Sequence, residues 1–252
     1  MLNIFYYLLI SLGINITLFI PAFIFKTDKL TDLSYSLSFI VLILIAFFLV
    51  PFSTLGLIIT LMVVVWALRL GTFLFVRIGK MKKDKRFDGM REYFFKFLRF
   101  WVLQAVAVFV ILIPSIFFIN SSQSKFCGMG FLIFLIGLIV ESVADAQKYK
   151  FKQNKKNKGK FIQSGLWKYS RHPNYFGEIL VWIGMYVFVF LSLNLTQKLI
   201  ALVSPLFIII LLLFVSGIPM LEKAADKKWS KDKAYKEYKK KTSVLIPWFT
   251  KK

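Results

Sequence analysis

The nine residues from Ser170 to Glu178 bring together side chains that can bind and orient a polar ligand. They read Ser-Arg-His-Pro-Asn-Tyr-Phe-Gly-Glu and include the one histidine of the chain, His172. The segment lies where a basic loop runs into a long hydrophobic stretch. Ionisable groups are costly inside a bilayer, so this cluster at a membrane boundary predicts a functional site.

Two pairs of polar residues flank the loop 148–171. Glu141 and Asp145 are four residues apart, which places both carboxylates on one helix face. Asn174 and Glu178 have the same spacing in a helix that the proline of the segment is suited to start. We expect the two polar faces to meet. The alternative is that these side chains only bond helices to one another, as buried polar groups in membranes commonly do.

Basic side chains surround these acceptors on the loop side. They are Lys148, Lys150, Lys152, Lys160, Lys168 and Arg171. A helix amino terminus beside lysine and arginine suits phosphate, while carboxylates and amides suit ribose hydroxyls or a carboxamide. The pattern therefore favours a phosphorylated, hydroxyl-rich cofactor. Tyr235 and Tyr238 share a helical face of the basic carboxyl-terminal tail, and we expect them to cover the bound cofactor. The alternative is that this tail lies on anionic lipid.

Long hydrophobic segments must position these residues. The chain has 252 residues, of which 58% are hydrophobic. Its apolar runs fit seven spanning helices, at about 2–25, 34–50, 54–76, 95–118, 127–149, 173–193 and 197–218. The sequence thus predicts an all-α, polytopic membrane protein in which residues 1–252 form one integral domain. The first run lacks a cleavage site behind a basic region, so we expect it to be retained.

Basic residues are concentrated in alternate loops. These loops are 26–33, 77–99, 148–171 and 223–252, whereas Lys125 and Lys198 fall on the opposite side. The asymmetry predicts an amino terminus outside and a carboxyl terminus in the cytoplasm, which in a bacterium means the inner membrane. It also accounts for the net charge of +22 without a nucleic-acid partner. One cysteine, Cys127, and one histidine exclude a disulfide framework and a Cys/His metal cluster, so we expect no metal.

Several of these pieces together resemble the steroid 5α-reductase and sterol reductase superfamily, and more narrowly its bacterial members of unassigned substrate. The pieces are Gly165 to Glu178, Glu141-Ser-Val-Ala-Asp145, Tyr235-Lys-Glu-Tyr238, Ile246-Pro247 and Trp66 to Gly71. The likeness covers the chain from about Trp66 onward. It implies a membrane enzyme that uses NADPH to reduce a carbon–carbon double bond in a hydrophobic substrate. That substrate, a steroid-like, isoprenoid or other lipid enone, would enter from the bilayer.

The resemblance also implies a role for individual residues. Lys152 and Lys160 match positions where relatives bind the phosphates with arginine, and Asn174 and Glu178 match residues near the ribose and nicotinamide. The cofactor-binding residues implied are Glu141, Asp145, Lys152, Lys160, Trp167, Arg171, His172, Asn174, Tyr175, Glu178, Glu222, Tyr235 and Tyr238. Residues 119–252 would form the cofactor half, and residues 1–118 the half that binds the lipid substrate.

The proton donor departs from the family's pattern. Steroid 5α-reductases have a tyrosine in helix three, where a local match through Arg69 places Trp66 in this chain. An indole N–H donates a hydrogen bond but is not an acid at neutral pH. Asp32, Tyr35 and Arg69 are therefore further candidates for handling the substrate beside Trp66.

A second enzyme class has similar motifs. Isoprenylcysteine carboxyl methyltransferases and phospholipid methyltransferases share Arg-His-Pro-x-Tyr-x-Gly and the Tyr-x-x-Tyr tail but bind S-adenosylmethionine. Glu222 resembles one of their acidic residues, whereas Asn174 and the acidic Glu178 after the glycine favour the reductases. A third hypothesis is a non-catalytic protein that binds membrane lipids and has kept the fold without a cofactor.

Overall fold

Helices account for nearly all the secondary structure of the protein. The computed structural model describes residues 3–81, 87–121 and 125–248. Within these ranges strand pairing is limited to an isolated bridge between Ser170 and Ser243. Residue 2 and parts of the predicted loops 77–99 and 223–252 lie outside the described residues.

Seven helical stretches of the described chain are long and apolar enough to cross a membrane. They are Ile4–Ile24, Lys29–Phe48, Thr54–Val76, Phe94–Ile119, Gly128–Gln153, Pro173–Ser192 and Leu195–Trp229. The hydropathy pattern predicts the same number at closely similar positions. The protein is therefore an all-α, integral, multi-pass membrane protein, as predicted.

Ten α-helices follow one another along the described residues. They are α1 (Ile4–Ile24), α2 (Lys29–Phe48), α3 (Thr54–Met81), α4 (Phe94–Ile119), α5 (Gly128–Gln153), α6 (Pro173–Val189), α7 (Leu195–Ala201), α8 (Val203–Ile210), α9 (Ile218–Trp229) and α10 (Lys233–Lys241). The chain divides into two compact units. The first unit consists of Met1–Phe126 and Val189–Ser204, and the second of Cys127–Phe188 and Pro205–Lys252.

Helix α2 begins at Lys29, five residues before the start that the apolar pattern predicts. Hydroxyl groups bond to backbone carbonyls in its first turns: Thr31 Oγ1 donates to the Asp28 carbonyl at 2.6 Å. The Asp28 carboxylate itself accepts from Arg91 Nη1 at 2.6 Å, and both side chains are buried. Polar residues are thus accommodated in the helix, and Asp32 lies in its first turn rather than in the predicted loop.

The seventh predicted span is interrupted rather than continuous. After α8 the chain makes a π-helical turn, Leu211–Val215, before α9 starts at Ile218. Pro219 has no N–H to bond to the preceding turn, so a regular helix cannot run through this point. Helix α9 then extends to Trp229, well beyond the predicted end at residue 218, and carries Glu222.

In the first unit, hydrogen bonds among the half-buried Gln104 and buried amide and hydroxyl groups join α1, α2 and α4. Gln104 Nε2 donates to Asn15 Oδ1 at 2.9 Å and to Ser34 Oγ at 2.7 Å. Asn15 Nδ2 in turn donates to Ser38 Oγ at 3.0 Å. Bonds of this kind hold transmembrane helices together where lipid supplies no hydrophobic drive.

In the second unit, glycines allow α5 and α6 to approach at backbone contact. A Cβ added at Gly177 would lie 2.5 Å from Glu141 N and 2.7 Å from the Gly137 carbonyl oxygen. A Cβ at Gly184 would lie 2.8 Å from the Gly130 carbonyl oxygen. This glycine seam, formed by Gly130, Gly137, Gly177 and Gly184, places Glu141 beside the first turns of α6.

Candidate functional site

A short 3₁₀ turn, Gly165–Lys168, fastens the loop before α6 to the end of α5. Trp167 Nε1 donates to the Ala144 carbonyl at 3.0 Å, and the indole is buried. Lys148 Nζ lies 4.3 Å from the centre of the Trp167 ring, within the range of a cation–π contact. The turn therefore fixes the residues that enter α6 relative to α5.

Glu222 of α9 lies at the centre of a charged network. Its Oε1 accepts from His172 Nε2 at 2.9 Å. Its Oε2 lies 3.4 Å from Arg171 Nη2 and 3.1 Å from Lys239 Nζ. Lys239 also donates to Asp226 at 2.7 Å. This Glu222 network, made of Arg171, His172, Glu222, Asp226 and Lys239, joins the start of α6 to α9 and α10.

The protonation state of His172 follows from its surroundings. Burial lowers the pKa of His172 below its usual 6.5, although the neighbouring Glu222 acts to raise it. The imidazole is therefore neutral at pH 7, and because a carboxylate only accepts, the proton lies on Nε2. His172 Nδ1 is then an acceptor, and this buried atom has no hydrogen-bond partner among the described residues.

A second buried acceptor lies two residues further on. Asn174 Oδ1 also has no hydrogen-bond partner in the part of the chain that the structure describes. Tyr175 stacks its ring on the His172 imidazole, with centroids 5.8 Å apart and planes 9° from parallel. Two buried acceptors without donors cost free energy, so they fit a ligand that brings N–H or O–H groups, such as a carboxamide or ribose.

Helix α10 brings both predicted tyrosines to this region. The Tyr235 hydroxyl donates to Asp226 Oδ1 at 2.9 Å, and the Tyr238 hydroxyl donates to the Trp167 carbonyl at 2.6 Å. Burial raises the pKa of Tyr235 and of Tyr238 above the usual 10, so both remain protonated donors. Both rings contact Phe161, at centroid distances of 5.3 and 5.4 Å.

An open cleft of about 450 Å³ lies beside the Glu222 network. Its lining residues are Arg171, Asp226, Ser230, Tyr235, Lys236, Lys239 and Lys240. Four of these side chains are cationic and one is a carboxylate. The excess of positive charge suits a phosphate group.

The other predicted cofactor residues have different surroundings. Glu141 and Asp145 are buried on α5, at 3% and 7% exposure, and Glu141 lies against the α6 seam. Glu178 is half-buried on α6. Lys152 and Lys160 are exposed, at the end of α5 and in the loop that follows it. The contacts above link the predicted residues Trp167, Arg171, His172, Tyr175, Glu222, Tyr235 and Tyr238.

The residues predicted to handle the substrate lie in the first unit. Trp66 is fully buried on α3, and its ring meets Phe39 at a centroid distance of 5.0 Å. Phe39 also contacts Tyr35 of α2, at 5.1 Å. Asp32 and Arg69 are half-buried. Trp66 and Tyr35 therefore pack on the same phenylalanine, and the burial of Trp66 in this cluster gives it a packing role.

Two members of the Glu222 network escaped sequence reasoning. Asp226 follows Glu222 by four residues, and Lys239 follows Tyr235 by four. Four-residue spacing places each pair on one helix face, so applying this rule to the tail would have found both.

Comparisons with known proteins identify the family of this chain. A family model described as "Protein of unknown function (DUF1295)" matches residues 18–242. A protein of Ustilaginoidea virens named probable O-methyltransferase ustE is 44% identical over 52 residues, which are 21% of this chain and 18% of that protein. The chain thus matches under a fifth of that relative's length. No solved structure matches. Because the family model covers most of the chain, the protein belongs to the DUF1295 family, which is steroid 5α-reductase-like.

Proposed function

We propose that this protein is an NADPH-dependent reductase of a carbon–carbon double bond in a hydrophobic, lipid-like substrate. Membership of a steroid 5α-reductase-like family supports a membrane oxidoreductase. NADPH as the cofactor is supported by one observation. It is the pair of buried acceptors, His172 Nδ1 and Asn174 Oδ1, near a cation-lined cleft.

The second unit offers groups suited to each part of a dinucleotide. His172 and Asn174 would accept hydrogen bonds from the carboxamide or the ribose hydroxyls. Arg171 and the cleft lysines would bind the phosphates, and the half-buried Tyr238 would hold the tail in place through its bond to the Trp167 carbonyl. Bound NADPH supplies a hydride to one alkene carbon.

Reduction also requires a proton at the neighbouring carbon or its conjugated carbonyl. Trp66 is not an acid at neutral pH, and the side chain of Arg69 carries only donors, so these two would orient a substrate oxygen by donating hydrogen bonds. Tyr35 is the candidate that can both donate a hydrogen bond and release a proton. We propose Tyr35 as the donor, with Asp32, one turn earlier on α2, as the other acidic group.

A methyltransferase that uses S-adenosylmethionine is the second candidate. It is favoured by the similarity to a protein named probable O-methyltransferase. The buried acceptors would then serve the amino or ribose groups of S-adenosylmethionine. That cofactor carries no phosphate, however, and four cationic side chains line the cleft. This charge supports the dinucleotide over the alternative.

Thermal unfolding of the purified protein in detergent separates the candidates. A ligand that binds only the folded state stabilises it by about 2.7 kcal/mol at 100 times its dissociation constant. We expect NADPH to raise the melting temperature and S-adenosylmethionine to leave it unchanged. Stabilisation by S-adenosylmethionine alone would contradict the proposal.

A matched pair of asparagine variants locates the site. Asn174→Ala removes one buried acceptor and should reduce the shift that NADPH produces. Asn194→Ala removes the side chain that caps α7 in the first unit. It should lower the melting temperature with and without NADPH alike. If both variants keep the full shift, Asn174 does not bind the cofactor.

A further inference from the structure

The segment that ends the described chain, residues 244–248, exposes three apolar side chains. Val244, Ile246 and Trp248 are 43%, 57% and 69% exposed. The intervening Leu245 and Pro247 are half-buried. The backbone bends at residues 244–246, so the exposure values, not a strand period, identify the outward side chains. We call the exposed side chains of Val244, Ile246 and Trp248 the apolar face of this segment.

Hydrogen bonds hold this segment against the residues that lead into α6. The Ser170 hydroxyl donates to the Leu245 carbonyl at 2.6 Å. Trp248 N donates to the Tyr169 carbonyl at 3.2 Å. Because the apolar span that contains α6 starts at Pro173, the segment is fixed where the chain enters the membrane.

The surroundings of the apolar face are cationic. Helix α10, directly before it, contains five lysines and one glutamate. Lys168 Nζ lies 5.7 Å from the centre of the Tyr169 ring, next to the end of the segment. Tryptophan and tyrosine concentrate at membrane interfaces, and lysines near a leaflet are attracted to anionic lipids.

We propose that residues 244–248 form a membrane-interface anchor. The apolar face inserts among the headgroups of the leaflet at the start of α6. Lys168 and the α10 lysines that do not line the cleft, Lys233 and Lys241, bind its anionic lipids. The anchor holds α10 at the membrane surface. This inference does not depend on the proposed function.

Spin labels test the anchor position by position. In a Cys127→Ser background, nitroxides are attached to Val244→Cys, Ile246→Cys and Trp248→Cys, each in a separate protein reconstituted in phosphatidylcholine–phosphatidylglycerol vesicles. Oxygen concentrates in the bilayer and a nickel chelate stays in water. We expect the ratio of collisions with oxygen to collisions with nickel to be several-fold higher at these positions than at a water-facing control.

Two control positions calibrate the scale. Glu237→Cys reports water, because this side chain on α10 is exposed, and Leu132→Cys reports the apolar face of the α5 span, where it is 52% exposed. Nickel accessibility equal to that of the Glu237 control at all three positions would overturn the anchor. Protection from both reagents would also overturn it and would indicate contact with a second copy. In vesicles without phosphatidylglycerol the ratio should fall, and an unchanged ratio would contradict the role of anionic lipid.

Discussion

At the scale of residues, the protonation state of His172 decides which ligand groups the candidate site can bind. A neutral imidazole donates through Nε2 to Glu222 and presents Nδ1 as an acceptor. Protonation would replace that acceptor with a donor and add a charge beside Arg171 and Lys148, both of which already lower the pKa of His172. The site is therefore built for the neutral form.

This assignment predicts a pH dependence of stability. Because the folded pKa of His172 lies below its usual 6.5, the unfolded chain takes up a proton first as the pH falls. The contribution of neutral His172 to the free energy of unfolding is present above about pH 6.5 and is lost as the pH falls below that value. We expect the melting temperature to fall between about pH 7 and pH 5. His172→Gln, which keeps a donor for Glu222, should flatten this slope, whereas an unchanged slope would show that His172 is not the titrating group.

The sequence allowed several of these residues to be predicted, but not how they pair. An arginine, a histidine and an asparagine in the segment Ser170–Glu178 stand out against an apolar chain, so their type and position mark them as candidate site residues. The contact of His172 with Glu222 joins residues fifty positions apart. Such pairing depends on how α6 and α9 pack, which local spacing does not contain.

At the scale of elements, the glycine seam between α5 and α6 sets the position of Glu141, a predicted cofactor-binding residue, relative to α6. Backbone contact at Gly177 places the buried Glu141 directly against α6. A side chain there would push the two helices apart. The seam thus links the packing of two spans to the geometry of the candidate site.

Two glycine variants test the seam. Gly177→Ala would bring a Cβ to 2.5 Å from Glu141 N, and overpacking of this kind typically costs about 1–3 kcal/mol. The control is Gly13→Ala on α1, where a Cβ would meet no atom within 4 Å. Alanine is the better helix former by about 1 kcal/mol, so this variant should be neutral or stabilising. Equal melting temperatures for the two variants would contradict the seam.

The helices themselves were mostly predictable because their apolar runs match the thickness of a bilayer. The exceptions were places where local chemistry overrides hydropathy. Thr31 and Ser34 bond to carbonyls one turn earlier and so extend α2 toward the amino terminus. The π-helical turn before Ile218 and Pro219 divides a run that hydropathy treats as continuous.

At the scale of the whole molecule, hydropathy gives the number of spans but not which of them form a compact unit. Residues Val189–Ser204 belong to the first unit although they follow α6 in the chain. One reason is a buried bond in which the Ser204 hydroxyl donates to the Ile111 carbonyl of α4 at 2.8 Å. Hydropathy along the chain does not contain such a return.

The central claim is the class of reaction, and isotope transfer to a lipid tests it most directly. Membranes that contain the protein are incubated with a lipid extract and either NADPH deuterated at the transferable hydrogen or S-adenosylmethionine with a labelled methyl group. Membranes with the Asn174→Ala variant serve as the control. We expect deuterium on a carbon of a lipid that has lost a double bond, with less transfer by the variant. Labelled methyl groups in the lipid, without deuterium, would contradict the account.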